Sequence, residues 1–172
     1  MEITTLLQRC IALERGAGDI YRTLGTRAPD SELERLWSDM ARDEDEHARK
    51  LTTWRTLALA EAPERRTCAD GFEQGVDELA NLIARTRETA SSATTADDAF
   101  AIALALESSE LDDIYTKLLH ASPIARFPDY AETYRRESAG HHRALVDAIA
   151  ARSTDPPNIL GARLLAAAEH DR

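Results

Sequence analysis

Residues 33–54 read LERLWSDMARDEDEHARKLTTW and place an ionisable pair in the middle of an apolar helix face. Apolar side chains recur there at steps of three and four, which puts them on one side of a helix that packs into a core. Glu44 and His47 fall on the same side. The sequence therefore predicts a buried carboxylate beside a buried imidazole. The apolar positions of this stripe are Leu33, Trp37, Met40, Leu51 and Trp54.

Three further segments carry an apolar stripe that is interrupted by Glu. An ionised carboxylate in a core costs several kcal/mol unless it is paired or bound to a cation. Because none of the four stripes contains Lys or Arg, a pair of divalent metal ions is the simplest shared counter-charge. The interrupting residues are Glu14 in segment 7–24, Glu107 and Glu110 in segment 100–118, and Glu137 with His141 in segment 130–148.

The helix periodicity predicts an all-α chain with no competing strand pattern. Four long helices are expected over residues 4–26, from residue 31 to about 62, from 95 or 96 to before Pro123, and from about 128 to 152. We expect them to form one four-helix bundle domain over residues 1–172. Residues 63–95 form a long connection between the second and third helices, with an accessory helix near 72–89. Residues 153–172 form a tail with a short helix near 158–169.

Charge, hydropathy and cysteine usage exclude several classes of function. A net charge of -10 argues against a nucleic-acid partner. No apolar run approaches the ~20 residues that span a bilayer, and no signal-peptide pattern opens the chain, so we expect a cytoplasmic protein. Cys10 and Cys68 form no C-x-x-C motif, which removes the support for a zinc or rubredoxin-type site.

The order Glu, Glu-x-x-His, Glu, Glu-x-x-x-His across four helices resembles the ferritin-like di-iron proteins, and within them rubrerythrin. Glu137 and His141 are four residues apart, as in rubrerythrins, and Glu110 follows Glu107 as the extra carboxylate of that family. Tyr21 and Tyr115 match tyrosines that rubrerythrins place beside the metals; a core role with a satisfied hydroxyl explains them equally well. The resemblance covers residues 4–62 and 96–152.

The resemblance implies a ligand set for two iron ions that cycle between Fe2+ and Fe3+, although manganese or a mixed centre fits the same donors. It implies a non-haem di-iron peroxidase or oxidase that reduces hydrogen peroxide, or O2, in oxidative-stress defence. Each residue would take the role of its counterpart in the family. Glu44 and Glu137 would bridge the metals, Glu14 would bind the first, Glu107 and His141 would bind the second, and His47 and the catalytic Glu110 would alternate on the first.

The chain departs from the family because it lacks the four cysteines of the rubredoxin-like domain. A separate electron-donor protein is therefore expected, together with the homodimer typical of the family. Three alternatives stay open: a ferroxidase or iron-storage protein, a di-iron hydroxylase, and a non-catalytic helical module. Asp43, Asp45 and Glu46 are expected to be solvated. His142, turned about 100° from His141 on the helix, is expected outside the ligand set or at the surface.

Overall fold

The structure is a computed structural model and describes residues 2–61, 72–109, 114 and 127–170. All the regular elements in this part of the chain are helices, so the prediction of an all-helical protein is confirmed for these residues. The helices are α1 (Ile3–Thr26), α2 (Ser31–Glu61), α3 (Phe72–Ala90), α4 (Ala96–Glu107), α5 (Phe127–Arg152) and α6 (Pro156–His170).

The helix bounds follow the sequence signals closely. α1 ends at Thr26, just before Pro29, and α5 begins at Phe127, one residue before Pro128. The accessory helix of the long connection is α3, and the helix of the tail is α6. α4 ends at Glu107 with Ser108 as its C-cap, so the prediction of one continuous helix to before Pro123 is wrong at this point. Glu110 and Tyr115 lie outside the described residues.

α1 and α2 form an antiparallel pair. Near one end, the Arg55 guanidinium donates to the carbonyl of Thr4 at 3.2 Å, and further along Arg22 pairs with Asp45 at 2.5 Å. Gly18 lies between these contacts, where an added Cβ would be 3.4 Å from the carbonyl oxygen of Ala41. Gly18 therefore faces α2 beside Glu44, at a distance that is ordinary van der Waals contact for a Cβ atom.

α5 runs antiparallel to α2 and is fixed at one end by a two-point ion pair. Arg152 Nη1 and Nη2 lie 3.0 and 2.6 Å from the two carboxylate oxygens of Asp30. Asp30 Oδ1 also accepts the backbone N–H groups of Glu32 and Leu33 at the start of α2. One carboxylate thus caps α2 and sets the register of α5 against it.

Three aromatic rings from three helices form the centre of the core. The rings of Tyr21 and Trp37 are stacked with centroids 6.1 Å apart, and the ring of Phe100 tilts against Trp37 at 5.9 Å. All three side chains are fully buried. This packing holds α1, α2 and α4 together, and the Tyr21 hydroxyl extends from it to Glu107. None of the described helices has both the length and the apolar composition needed to cross a membrane.

The start of α4 is fixed by a capping box. The Thr95 hydroxyl accepts the backbone N–H of Asp98, and the Asp98 carboxylate accepts the backbone N–H of Thr95 in return. Two of the unpaired donors at the helix start are satisfied in this way. The capping box fixes the residue at which α4 begins and, with it, the position of Glu107 at the other end of this helix.

We expect Thr95→Ala to lower the free energy of unfolding by about 0.5–2 kcal/mol, because the helix start loses its hydroxyl acceptor. Urea denaturation at pH 7 measures this difference. Thr89→Ala serves as the control, since the Thr89 hydroxyl donates only to a carbonyl of its own helix. An unchanged midpoint for Thr95→Ala would contradict the assigned cap.

The same cap predicts a pH dependence. Hydrogen bonds from Thr94 and Thr95 lower the pKa of Asp98 from 3.8 to about 2. The ionised carboxylate therefore stabilises the fold above pH 4, and this contribution is lost as the pH falls from 4 through 2. We expect the stability difference between the native chain and Asp98→Ala to be constant between pH 5 and 7 and to shrink below pH 4. A difference that grew on acidification would exclude this sign.

Candidate metal centre

Glu44 and His47 lie one helical turn apart on the buried face of α2. Their side chains are only 8% and 4% exposed, and His47 Nδ1 is 3.2 Å from Glu44 Oε2. Because the apolar stripe of α2 faces the core, both groups are withdrawn from water with it. The sequence prediction of a buried carboxylate beside a buried imidazole is confirmed.

His141 brings a second imidazole to the same place from α5. Its Nδ1 atom lies 3.8 Å from Glu44 Oε1, and its ring centroid is 5.2 Å from that of His47. The two oxygens of Glu44 therefore face two different imidazoles. One ligand atom from each of the three residues lies within 4.8 Å of the others, a spacing that a single metal ion can span.

Asp43 contacts the other nitrogen of His141. His141 Nε2 is 2.9 Å from Asp43 Oδ2, and this hydrogen bond lowers the pKa of Asp43. An Nε2–H that donates to Asp43 leaves the lone pair of Nδ1 directed to the Glu44 side, as metal-bound histidines require. The expectation that Asp43 is only a solvated surface residue is therefore corrected, although its side chain is 40% exposed.

A second ionisable group lies on the α4 side, formed by Tyr21, Glu107 and His142. The Tyr21 hydroxyl donates to Glu107 Oε1, and His142 Nε2 is 3.1 Å from Glu107 Oε2. The side chains of His142 and Glu107 are 4% and 9% exposed. His142 is thus buried against a predicted ligand, so of its two expected places, outside the ligand set or at the surface, the surface is wrong.

The negative charges of three buried carboxylates act on the Tyr21 hydroxyl. Burial raises the pKa of Tyr21 well above its ordinary value, and the negative charges of Glu107, Glu44 and Glu14 raise it further. Burial also disfavours the ionised form of Glu107, but the hydrogen bond from His142 and the charge of His141 outweigh it and lower that pKa. Tyr21 therefore stays protonated and donates, while Glu107 stays ionised and accepts.

A third buried carboxylate, Glu14, comes from α1. This residue is only 2% exposed, and its charge acts on Tyr21, which lies two turns away on the same face of the helix. Three buried carboxylates therefore act on Tyr21, and three buried imidazoles lie beside two of them, Glu44 and Glu107. The negative charge of these carboxylates can be neutralised either by protons on the imidazoles or by metal ions bound to neutral imidazoles. Because a metal ion displaces these protons, the two states differ in the number of bound protons.

An open cleft gives access to the imidazole pair from solvent. It has a volume of about 440 Å³ and is lined by Asp43, Glu46, His47, Lys50 and His141. Because two of the lining residues belong to the buried cluster, an ion or a small molecule in this cleft meets His47 and His141 first. The cleft is large enough for peroxide and small ions.

The structure describes five of the seven predicted ligands. It brings Glu44, His47 and His141 together and places Glu14 and Glu107 beside Tyr21. Glu110, Tyr115 and the side chain of Glu137 lie outside the described residues, and their roles stay predictions. A comparison of the chain with protein-family models, curated proteins and solved structures finds no match.

Sequence reasoning missed His142 because it assigned one inward face to each helix. α5 contacts α2 through His141 and α4 through His142, so consecutive residues about 100° apart both point inward. The adjacent pair of histidines in an apolar segment was the available signal. Asp43 was missed because a residue that flanks the buried stripe has the same pattern as a solvated one.

We expect cobalt(II) or manganese(II) to raise the melting temperature of the native chain, since a ligand that binds only the folded state adds about 2.7 kcal/mol at 100 times its dissociation constant. Glu44→Gln should abolish the increase, because the residue shared by both imidazoles loses its charge. Glu46→Gln, which lines the same cleft but pairs with Arg49, is the matched control and should keep it. Equal increases in both variants would rule out Glu44 as a ligand.

Proposed function

We propose that the chain is a ferritin-like, rubrerythrin-type four-helix bundle whose dinuclear metal centre reduces hydrogen peroxide, with O2 as the second oxidant. The observation that carries the proposal is the position of Glu44, with Oε2 toward His47 and Oε1 toward His141. With its oxygens divided in this way, Glu44 would be able to hold two metal ions, each with one imidazole.

The donor set fits iron in both oxidation states. Carboxylate oxygen with imidazole nitrogen suits iron and manganese. Five carboxylates (Glu14, Glu44, Glu107, Glu110 and Glu137) would bring five negative charges. Two ferrous ions carry four positive charges and two ferric ions carry six, so the set stays within one charge of neutrality in either state. Small charge imbalance in both states favours a redox centre in a buried site.

When bound, the two ferrous ions would supply the two electrons that convert hydrogen peroxide and two protons into two water molecules. The protein contributes access, orientation and protons. The cleft beside His47 and His141 admits a small oxidant. Asp43 holds His141 with Nδ1 toward the centre, and the Tyr21 hydroxyl keeps a proton beside Glu107.

We propose that a separate donor protein returns electrons to the metal centre. The two cysteines of the chain cannot supply the four thiolates of a rubredoxin-type iron site, and Cys10 is buried in the core. The net charge of -10 favours a donor with a basic contact surface. We propose that the protein acts as a homodimer, as expected for this family.

The test is anaerobic reconstitution with Fe2+, followed by stopped-flow absorbance on addition of hydrogen peroxide or O2. We expect two irons per chain and faster oxidation by peroxide, with Glu46→Gln behaving as the native chain and Glu44→Gln failing to retain iron. Retention of many irons per chain with preferential oxidation by O2 would replace the peroxidase by a ferroxidase. Absence of bound iron in the native chain would refute the di-iron proposal.

A further inference from the structure

The buried side chain of His142 contacts a carboxylate from another helix. Its Nε2 atom lies 3.1 Å from Glu107 Oε2, and both side chains are at least 91% buried. The rubrerythrin resemblance assigns no role to this histidine. The neighbouring His141 contacts Asp43 and Glu44 on α2. The two consecutive imidazoles of α5 therefore contact different helices.

The contact from His142 is one of two that fix Glu107. The Tyr21 hydroxyl donates to Oε1 and the His142 imidazole donates to Oε2, so each oxygen has its own donor from a different helix. Two donors on opposite oxygens determine the plane of a carboxylate as well as its position. Each oxygen keeps a second lone pair, with which it can still bind a metal ion.

We propose that His142 is a positioning residue that, together with Tyr21, holds Glu107 toward the second metal ion of the pair. This inference rests on the proposed dinuclear centre. His142 acts through its Nε2–H on Glu107, so this nitrogen positions the carboxylate and is not a metal ligand. Outer partners of this kind typically change metal affinity by about 10- to 100-fold when removed.

The position of His142 also indicates that the binding of only one of the two metal ions should depend on it. Glu44 and His47 contact each other on α2, and that contact does not involve Glu107. Loss of the hydrogen bond to Glu107 should therefore weaken one metal ion and leave the other. This asymmetry separates a positioning role from a general role in folding, which would weaken both.

The experiment is a cobalt(II) titration of the full chain, followed by visible absorbance and by equilibrium dialysis. The native chain is compared with His142→Leu, which removes the donor at similar volume, and with His142→Gln, whose amide N–H replaces the Nε2 donor. Arg143→Gln, an exposed neighbour on α5, is the control. Circular dichroism of the metal-free proteins establishes that each variant is folded.

We expect two cobalt ions per native chain, and a 10- to 100-fold weaker second ion in His142→Leu with the first unchanged. His142→Gln and Arg143→Gln should bind both ions as the native chain does. Full binding of both ions by a folded His142→Leu would overturn the positioning role. Equal loss of the second ion in the Leu and Gln variants would also overturn it, because the imidazole would then be a ligand. Failure of the native chain to bind two ions would instead remove the proposed function.

Discussion

The burial of three carboxylates in one small volume is the constraint on which the rest of the structure depends. Glu14, Glu44 and Glu107 come from three helices and are withdrawn from water, and the buried Tyr21 links Glu107 to the aromatic core through its hydroxyl. A core of this kind is stable only if positive charge enters with the carboxylates. Imidazoles from α2 and α5 face them, and the same imidazoles can either hold protons or help to bind metal ions.

Much of this arrangement could be predicted from the sequence, because helical periodicity determines which residues are buried. The stripes of α1 and α2 predicted that Glu14, Glu44 and His47 would lie inside, and these residues are buried. The predicted helices begin and end near Pro29 and Pro128, where proline restricts the backbone. Local rules of this kind need no knowledge of which helices become neighbours.

The partners of the ionisable groups could not be predicted, because they depend on how the helices pack. His142 meets Glu107 only because α5 contacts both α2 and α4, a relation between helices distant in sequence. Asp43 meets His141 for the same reason. Helical periodicity assigns residues to faces, but a helix that packs between two neighbours has two inward faces, and a single stripe cannot describe both.

We propose that these residues form a centre for two metal ions that share Glu44. X-ray absorption spectroscopy of the iron-loaded chain tests it most directly, because it detects a second metal near the first and the nitrogen and oxygen donors around each. We expect a metal–metal distance of about 3.5–4 Å, as in other two-metal sites, with imidazole scattering in the spectrum. A spectrum from isolated iron ions with no neighbouring metal would contradict it.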